Sequence, residues 1–149
     1  MDSIRSLYLL LGIPFLISGS AVATDKPALI LVPGAFHRAS VYDEVKSQLG
    51  NIGYEHIYAV DLPSVGYDVA DVKRTADVDV VTELLETRLE AGKDVVLVGN
   101  SYGATVIVEA VKDFEDRSVN SAPENTKGEG WILGLIMVRT YLYTLSYGA

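Results

Sequence analysis

The chain holds 149 residues, 49% apolar and 21% charged, which are the proportions of one folded domain and exclude a disordered or low-complexity protein. Lys and Arg number 12 against 20 Asp and Glu, a net charge of −8 that excludes nucleic acid or an anionic membrane surface as an electrostatic partner. There is no cysteine and there are only two histidines, His37 and His56, so a disulfide scaffold, thiol catalysis, a cysteine zinc site and a His-rich metal centre are all excluded.

Residues 1–23 read as a secretory signal peptide. Arg5 and the amino terminus give a basic start, Leu7–Ile17 is an apolar stretch interrupted only by Gly12 and Pro14, and Ala21-Val22-Ala23 supplies small residues around a cleavage point. Cleavage predicts a secreted domain over 24–149 with no membrane contact. The alternative is an anchor through the same segment, against which stand Pro14, the polar Ser18-Gly19-Ser20 and an apolar core too short to span a bilayer.

The rest alternates between strand and helix patterns. Ala28–Val32 is a continuous apolar run stopped by Pro33-Gly34, as in a strand buried on both faces. Ser40 with Asp43 predicts a capping box opening a helix whose inward positions are Val41, Val45, Leu49 and Ile52, with Gly53 as its stop. His56–Val60 predicts a second strand, and Ser64 to about Asp77 a polar loop. Val80, Val81, Leu84, Leu85 and Leu89 mark a second helix ended by Gly92, and Asp94–Val98 a third strand. Ala104–Phe114 predicts a third helix, Ser118–Gly130 a polar linker, and Ile132–Val138 a fourth strand. This order specifies an α/β fold, a parallel sheet with right-handed crossovers and helices on both faces.

The chemistry concentrates at Gly99-Asn100-Ser101-Tyr102-Gly103, which follows the third strand directly and opens a helix. Gly-x-Ser-x-Gly in that context is the pattern of a nucleophile elbow. The turn is so tight that side chains at Gly99 or Gly103 would collide, and it presents the Ser101 hydroxyl above the end of the sheet at a helix N-terminus. An acyl-transfer serine also needs two N–H donors for the oxyanion. Tyr102 is the expected first donor. Ala35, in the loop after the first strand where Gly34 lets the backbone come close, is the expected second, ahead of Phe36.

At this point the chain resembles the α/β-hydrolase family, and within it the short-lid esterase and hydroxynitrile-lyase-type branch with its many fungal members. The stretches ALILVPGAFH, VYDEVKSQLGNIGY, HIYAVDLPSVG and DVVLVGNSYGATVIVEAV carry the resemblance over about residues 28–115. It implies a serine hydrolase of small carboxylic esters, or a relative using the same site. Ser101 would be the nucleophile, Ala35 and Tyr102 the oxyanion donors, and no cofactor or metal would be needed.

The family order is Ser, then Asp or Glu, then His. Here both histidines precede Ser101, and residues 139–149 hold three tyrosines and no acid. The sequence is therefore expected to be a C-terminally truncated, partial hydrolase domain. The alternative to an esterase is a catalytically inactive fragment or binding remnant of the fold. His37 is read as a loop histidine rather than a substitute base, His56 as structural, Asp61 as a turn-former, and Asp113, Glu115 and Asp116 as a solvated face. The segment Ile132–Val138 is expected to expose a sheet edge through which copies self-associate.

Overall fold

The computed structural model describes residues 26–67, 69–118 and 128–138. The signal-peptide segment, most of the polar linker and the 139–149 tail lie outside the described residues. Four strands, β1 (Ala28–Val32), β2 (Ile57–Ala59), β3 (Val95–Asn100) and β4 (Ile132–Val138), form one parallel sheet in the order β2-β1-β3-β4. Three α-helices connect them: α1 (Asp43–Asn51), α2 (Arg74–Glu90) and α3 (Tyr102–Ala110).

β1 is central, and every one of its residues is buried. Its register is fixed on both sides, with Ile30 beside Tyr58 of β2 and Leu97 of β3. The chain steps one way across the sheet from β1 to β2 and the other way from β2 to β3. Right-handed crossovers therefore put α1 on one face and α2 with α3 on the other. The α2–α3 face holds the main core, in which Val81, Leu85 and Leu89 of α2 join Val106, Ile107 and Ala110 of α3 over β1 and β3.

Helix ends follow local chemistry. Gly53 and Gly92 adopt φ of +88° and +72° just past α1 and α2. Beyond them Tyr54 N–H reaches the Leu49 carbonyl at 3.1 Å and Lys93 N–H the Arg88 carbonyl at 3.0 Å. Both are left-handed C-terminal caps, which glycine adopts without a Cβ penalty.

The start of α1 differs from the sequence expectation. Ala39–Tyr42 is a 3-10 turn, α1 begins at Asp43, and no side chain of Ser40 caps either one. Asp61 does the capping from a distance, its Oδ1 accepting the Ala39 N–H at 2.8 Å. The expected inward stripe of α1 is also not buried: Val41, Val45 and Ile52 are exposed, and Leu49 is half-buried. A 3-10 turn winds three residues per turn rather than 3.6, so Val41 falls out of phase with the helix that follows.

The third helix is shorter than its apolar pattern suggests. α3 ends at Ala110, and Lys112–Arg117 continues as 3-10 turns kinked at Phe114. Asp113, Glu115 and Asp116 are exposed there. At the opposite end of the chain order, α2 starts at Arg74 and so takes in residues expected to be loop.

Candidate active site at the strand-to-helix turn

The parallel strands bring three loops to one edge of the sheet, where such folds build their sites. These are residues 33–38 after β1, 60–67 after β2, and the turn from β3 into α3.

Ser101 is the single residue between β3 and α3, with φ 50° and ψ −113°. That conformation is sparsely populated for a residue with a side chain and costs about 1–3 kcal/mol. The serine is exposed, so packing of its side chain does not account for the strain. The surrounding backbone enforces it. Ser101 N–H is bonded to the Val138 carbonyl at 2.8 Å, and its carbonyl accepts from Ala104 N–H at 3.0 Å. The chain must leave β3 and enter α3 within one residue.

Both flanking glycines are required, for different reasons. A Cβ on Gly99 would lie 2.6 Å from the Gly103 carbonyl oxygen and from the Ala104 backbone, which is the expected collision across the turn. A Cβ on Gly103 would instead run into the carbonyl oxygens of Val32 and Pro33. Gly103 thus lets the first turn of α3 sit directly on the end of β1.

That contact draws the β1 loop to the serine. A Cβ added at Gly34 would sit 3.5 Å from Ser101 Cβ and 3.4 Å from Asn100 Nδ2. His37 N–H closes a turn on the Gly34 carbonyl at 3.2 Å, and Phe36 inside that turn takes φ 65°. The N–H groups of Ala35 and Tyr102 have no acceptor among the described residues. The Tyr102 N–H is also one of the orphan donors at a helix N-terminus, where the positive end of the helix dipole adds to it.

The side chain of Tyr102 points away from the turn into a polar buried contact. Its hydroxyl donates to Asp77 Oδ2 at 2.7 Å, and Asp77 Oδ1 accepts the Ser64 N–H at 2.9 Å. Asp77 is wholly buried, and both of its oxygens are used. Burial, with the Asp77 hydrogen bond and charge adding to it, pushes the Tyr102 phenol up to about 12. One carboxylate therefore ties α2 to the β2 loop and to the residue that follows Ser101. The sequence reading missed Asp77, leaving it at the end of a polar loop. The signal was present: stepping back by four from Leu89, Leu85 and Val81 arrives at Asp77, on the inward stripe of α2.

His37 lies in the loop beside the turn, but its Nδ1 is engaged with the Ala35 carbonyl at 2.8 Å. His56 precedes β2, at the opposite end of the parallel sheet from Ser101. Neither histidine is bonded to the Ser101 hydroxyl, which has no partner among the described residues. No three His, Cys, Asp or Glu side chains come together to hold a metal among the described residues.

The alpha/beta hydrolase family profile matches residues 29–143. The chain is 37% identical over 111 residues to the alpha/beta hydrolase nvfD of Aspergillus novofumigatus, covering 74% of this chain and 42% of that protein. It is 29% identical over 94 residues to the probable hydrolase R7 of a Phoma species, covering 62% of this chain and 38% of that one. It thus spans about two fifths of the length of these fungal relatives. Among solved structures, an extracellular alpha/beta-hydrolase from a Paenibacillus species superposes with a TM-score of 0.61 at 20% identity, over 79% of this chain and 42% of its own. Tomato methylketone synthase I superposes with a TM-score of 0.52 at 24% identity, over 60% of this chain and 35% of its own. At these identities the structures speak for the fold alone. The profile match and the Aspergillus relative decide the family, and the chain belongs to the alpha/beta hydrolases.

Proposed function

We propose that the chain carries the nucleophile and the oxyanion-binding half of a serine esterase site for a small carboxylic ester. Ser101 Oγ attacks the acyl carbon. The carbonyl oxygen takes up the electron pair, and the N–H groups of Ala35 and Tyr102 receive the resulting charge. The observation that carries this reading is the backbone of Ser101, held at φ 50° and ψ −113° with its side chain exposed. The N–H groups of Tyr102, next in the chain, and of Ala35, which follows the Gly34 that approaches Ser101, have no acceptor among the described residues and support the same role.

Attack also needs a base to take the hydroxyl proton. Both histidines of this sequence precede Ser101, and neither engages it. That observation favours a second reading for the chain alone: a catalytically silent piece of the fold, with the nucleophile and oxyanion donors but with no base bonded to Ser101 among the described residues. Loss of a triad base leaves only the catalysis that binding and the oxyanion hole supply. Secretion after cleavage of residues 1–23 is part of the proposal, with membrane anchoring by that segment as its alternative.

The test is p-nitrophenyl acetate turnover by the chain and by Ser101→Ala, each with and without added imidazole as an external base. The expected result is no Ser101-dependent rate without imidazole and a Ser101-dependent rate with it. Equal rates for the two proteins under both conditions would remove Ser101 as the nucleophile. A strong Ser101-dependent rate without imidazole would overturn the silent reading.

A further inference from the structure

A cleft of about 350 Å³ opens between the loop after β1 and the loop after β2, at the same end of the sheet as Ser101. Phe36, Arg38, Ser64, Val65, Tyr67 and Val69 line it. Its wall at Ser64 is continuous with the site, because the Ser64 N–H and the Tyr102 hydroxyl share the Asp77 carboxylate.

Three features of this cleft bear on what it could hold. First, the Arg38 side chain has no hydrogen-bond or ionic partner among the described residues, in a chain of net charge −8. The other described arginines are engaged: Arg74 with Glu109, Arg88 with the Tyr58 hydroxyl at 2.8 Å, and Arg117 with Glu129 at 3.8 Å. Second, Phe36 and Tyr67 are 94% and 96% exposed, so two aromatic rings that line the same cleft as Arg38 stand in water. Third, Phe36 is held there at φ 65°, a left-handed conformation that a bulky residue rarely adopts. The turn closed by His37 N–H on the Gly34 carbonyl holds Phe36 in this conformation with its ring exposed, next to Ala35.

We infer that this cleft is a substrate subsite in which Arg38 binds a carboxylate and Phe36 and Tyr67 embrace an apolar or aromatic body. The ester acted on at Ser101 is then one that carries a free carboxylate at some distance from the scissile bond. This deepens the esterase reading and rests on it. A guanidinium offers two parallel N–H donors that match a carboxylate, and it stacks on aromatic faces. The ligand is a monoanion rather than a phosphate dianion. Arg38 is a single positive charge, and the Asp61 carboxylate sits on the N–H of the next residue, Ala39.

The test measures binding and needs no turnover. 3-Phenylpropionate and its uncharged amide are titrated by calorimetry into the chain, Arg38→Gln, Arg38→Lys, Phe36→Gly and Ser101→Ala, with the fold of each followed by thermal unfolding. In the wild-type chain the carboxylate is expected to bind about tenfold tighter than the amide or better, the scale of a charge-assisted hydrogen bond. Arg38→Gln removes that preference at unchanged unfolding temperature, Arg38→Lys restores part of it, and Phe36→Gly weakens both probes. Ser101→Ala binds as the wild type does. Equal binding of the two probes, a preference that survives Arg38→Gln, or no saturable binding of either would overturn the inference. Because Ser101→Ala retains the subsite, failure here is separable from failure of Ser101 as a nucleophile.

Discussion

The hydroxyl of Tyr102 rests on the buried carboxylate of Asp77 at 2.7 Å, and the backbone N–H of the same Tyr102 is the donor nearest Ser101 in the chain. A carboxylate in the first turn of α2 thereby anchors the residue proposed as an oxyanion donor. The other Asp77 oxygen holds the Ser64 N–H, so the contact also fixes the loop that walls the Arg38 cleft. Asp77→Ala leaves both donors without an acceptor. It is expected to destabilise the fold by about 2–4 kcal/mol, whereas Tyr102→Phe costs about 1 kcal/mol. Urea unfolding of the two single variants and the double variant checks the coupling, which is expected to be non-additive by more than about 0.5 kcal/mol.

The same contact has a pH signature. The Tyr102 phenol is raised from 10.0 to about 12, by burial first and by Asp77 second. The folded state thus favours the protonated hydroxyl. The contribution is fully present below the ordinary tyrosine value and is lost as pH rises through about 12. Ultraviolet titration of the folded chain is expected to show a late-titrating phenol that Tyr102→Phe deletes. Asp77→Asn moves it part of the way back, because burial remains. Tyr42, raised by burial alone, does not respond to Asp77.

The strain at Ser101 makes a stability prediction opposite to its activity prediction. Ser101→Gly relieves a backbone conformation that costs a side-chain-bearing residue about 1–3 kcal/mol, against which stands the larger chain entropy of glycine when unfolded. A net gain of about 1 kcal/mol is expected in denaturant midpoint, with loss of any Ser101-dependent chemistry.

Glycines in this chain are not interchangeable. Gly99→Ala and Gly103→Ala force a Cβ into backbone atoms that cannot move without parting β1, β3 and α3, and each is expected to cost more than about 4 kcal/mol or to prevent folding. Gly50 in α1 has open space around it, and Gly50→Ala is expected to stabilise by about 0.5–1 kcal/mol. Thermal unfolding of the three variants distinguishes them.

β4 is an edge of the described sheet, and Ile136, Met137 and Val138 along it are exposed. An apolar edge strand is a template for another strand. Sedimentation velocity is expected to show concentration-dependent association of the chain, reduced in Ile136→Lys.

How much of this is visible in sequence varies with the physics behind each element. β1 and β3 are legible because strands buried in a parallel sheet must be continuously apolar, and the turn at 99–103 because its geometry admits only glycine at two places. The Ala39–Tyr42 turn is not legible, since its cap comes from Asp61 after β2, a long-range contact that no local pattern encodes. Asp77 is hidden by composition: it follows a run of polar residues, and only its phase with Val81, Leu85 and Leu89 marks it as inward. The left-handed Phe36 is invisible for a similar reason, because a bulky residue at positive φ is held there by the turn between Gly34 and His37, not by its own preference.

Ser101 is proposed as a nucleophile served by the Ala35 and Tyr102 N–H groups as oxyanion donors. Mass analysis of the chain after incubation with p-nitrophenyl acetate and imidazole tests it most directly. One acetyl group is expected on the peptide containing Ser101, and none on the corresponding peptide of Ser101→Ala. An unmodified Ser101 peptide, or acetylation that persists in Ser101→Ala, would contradict it.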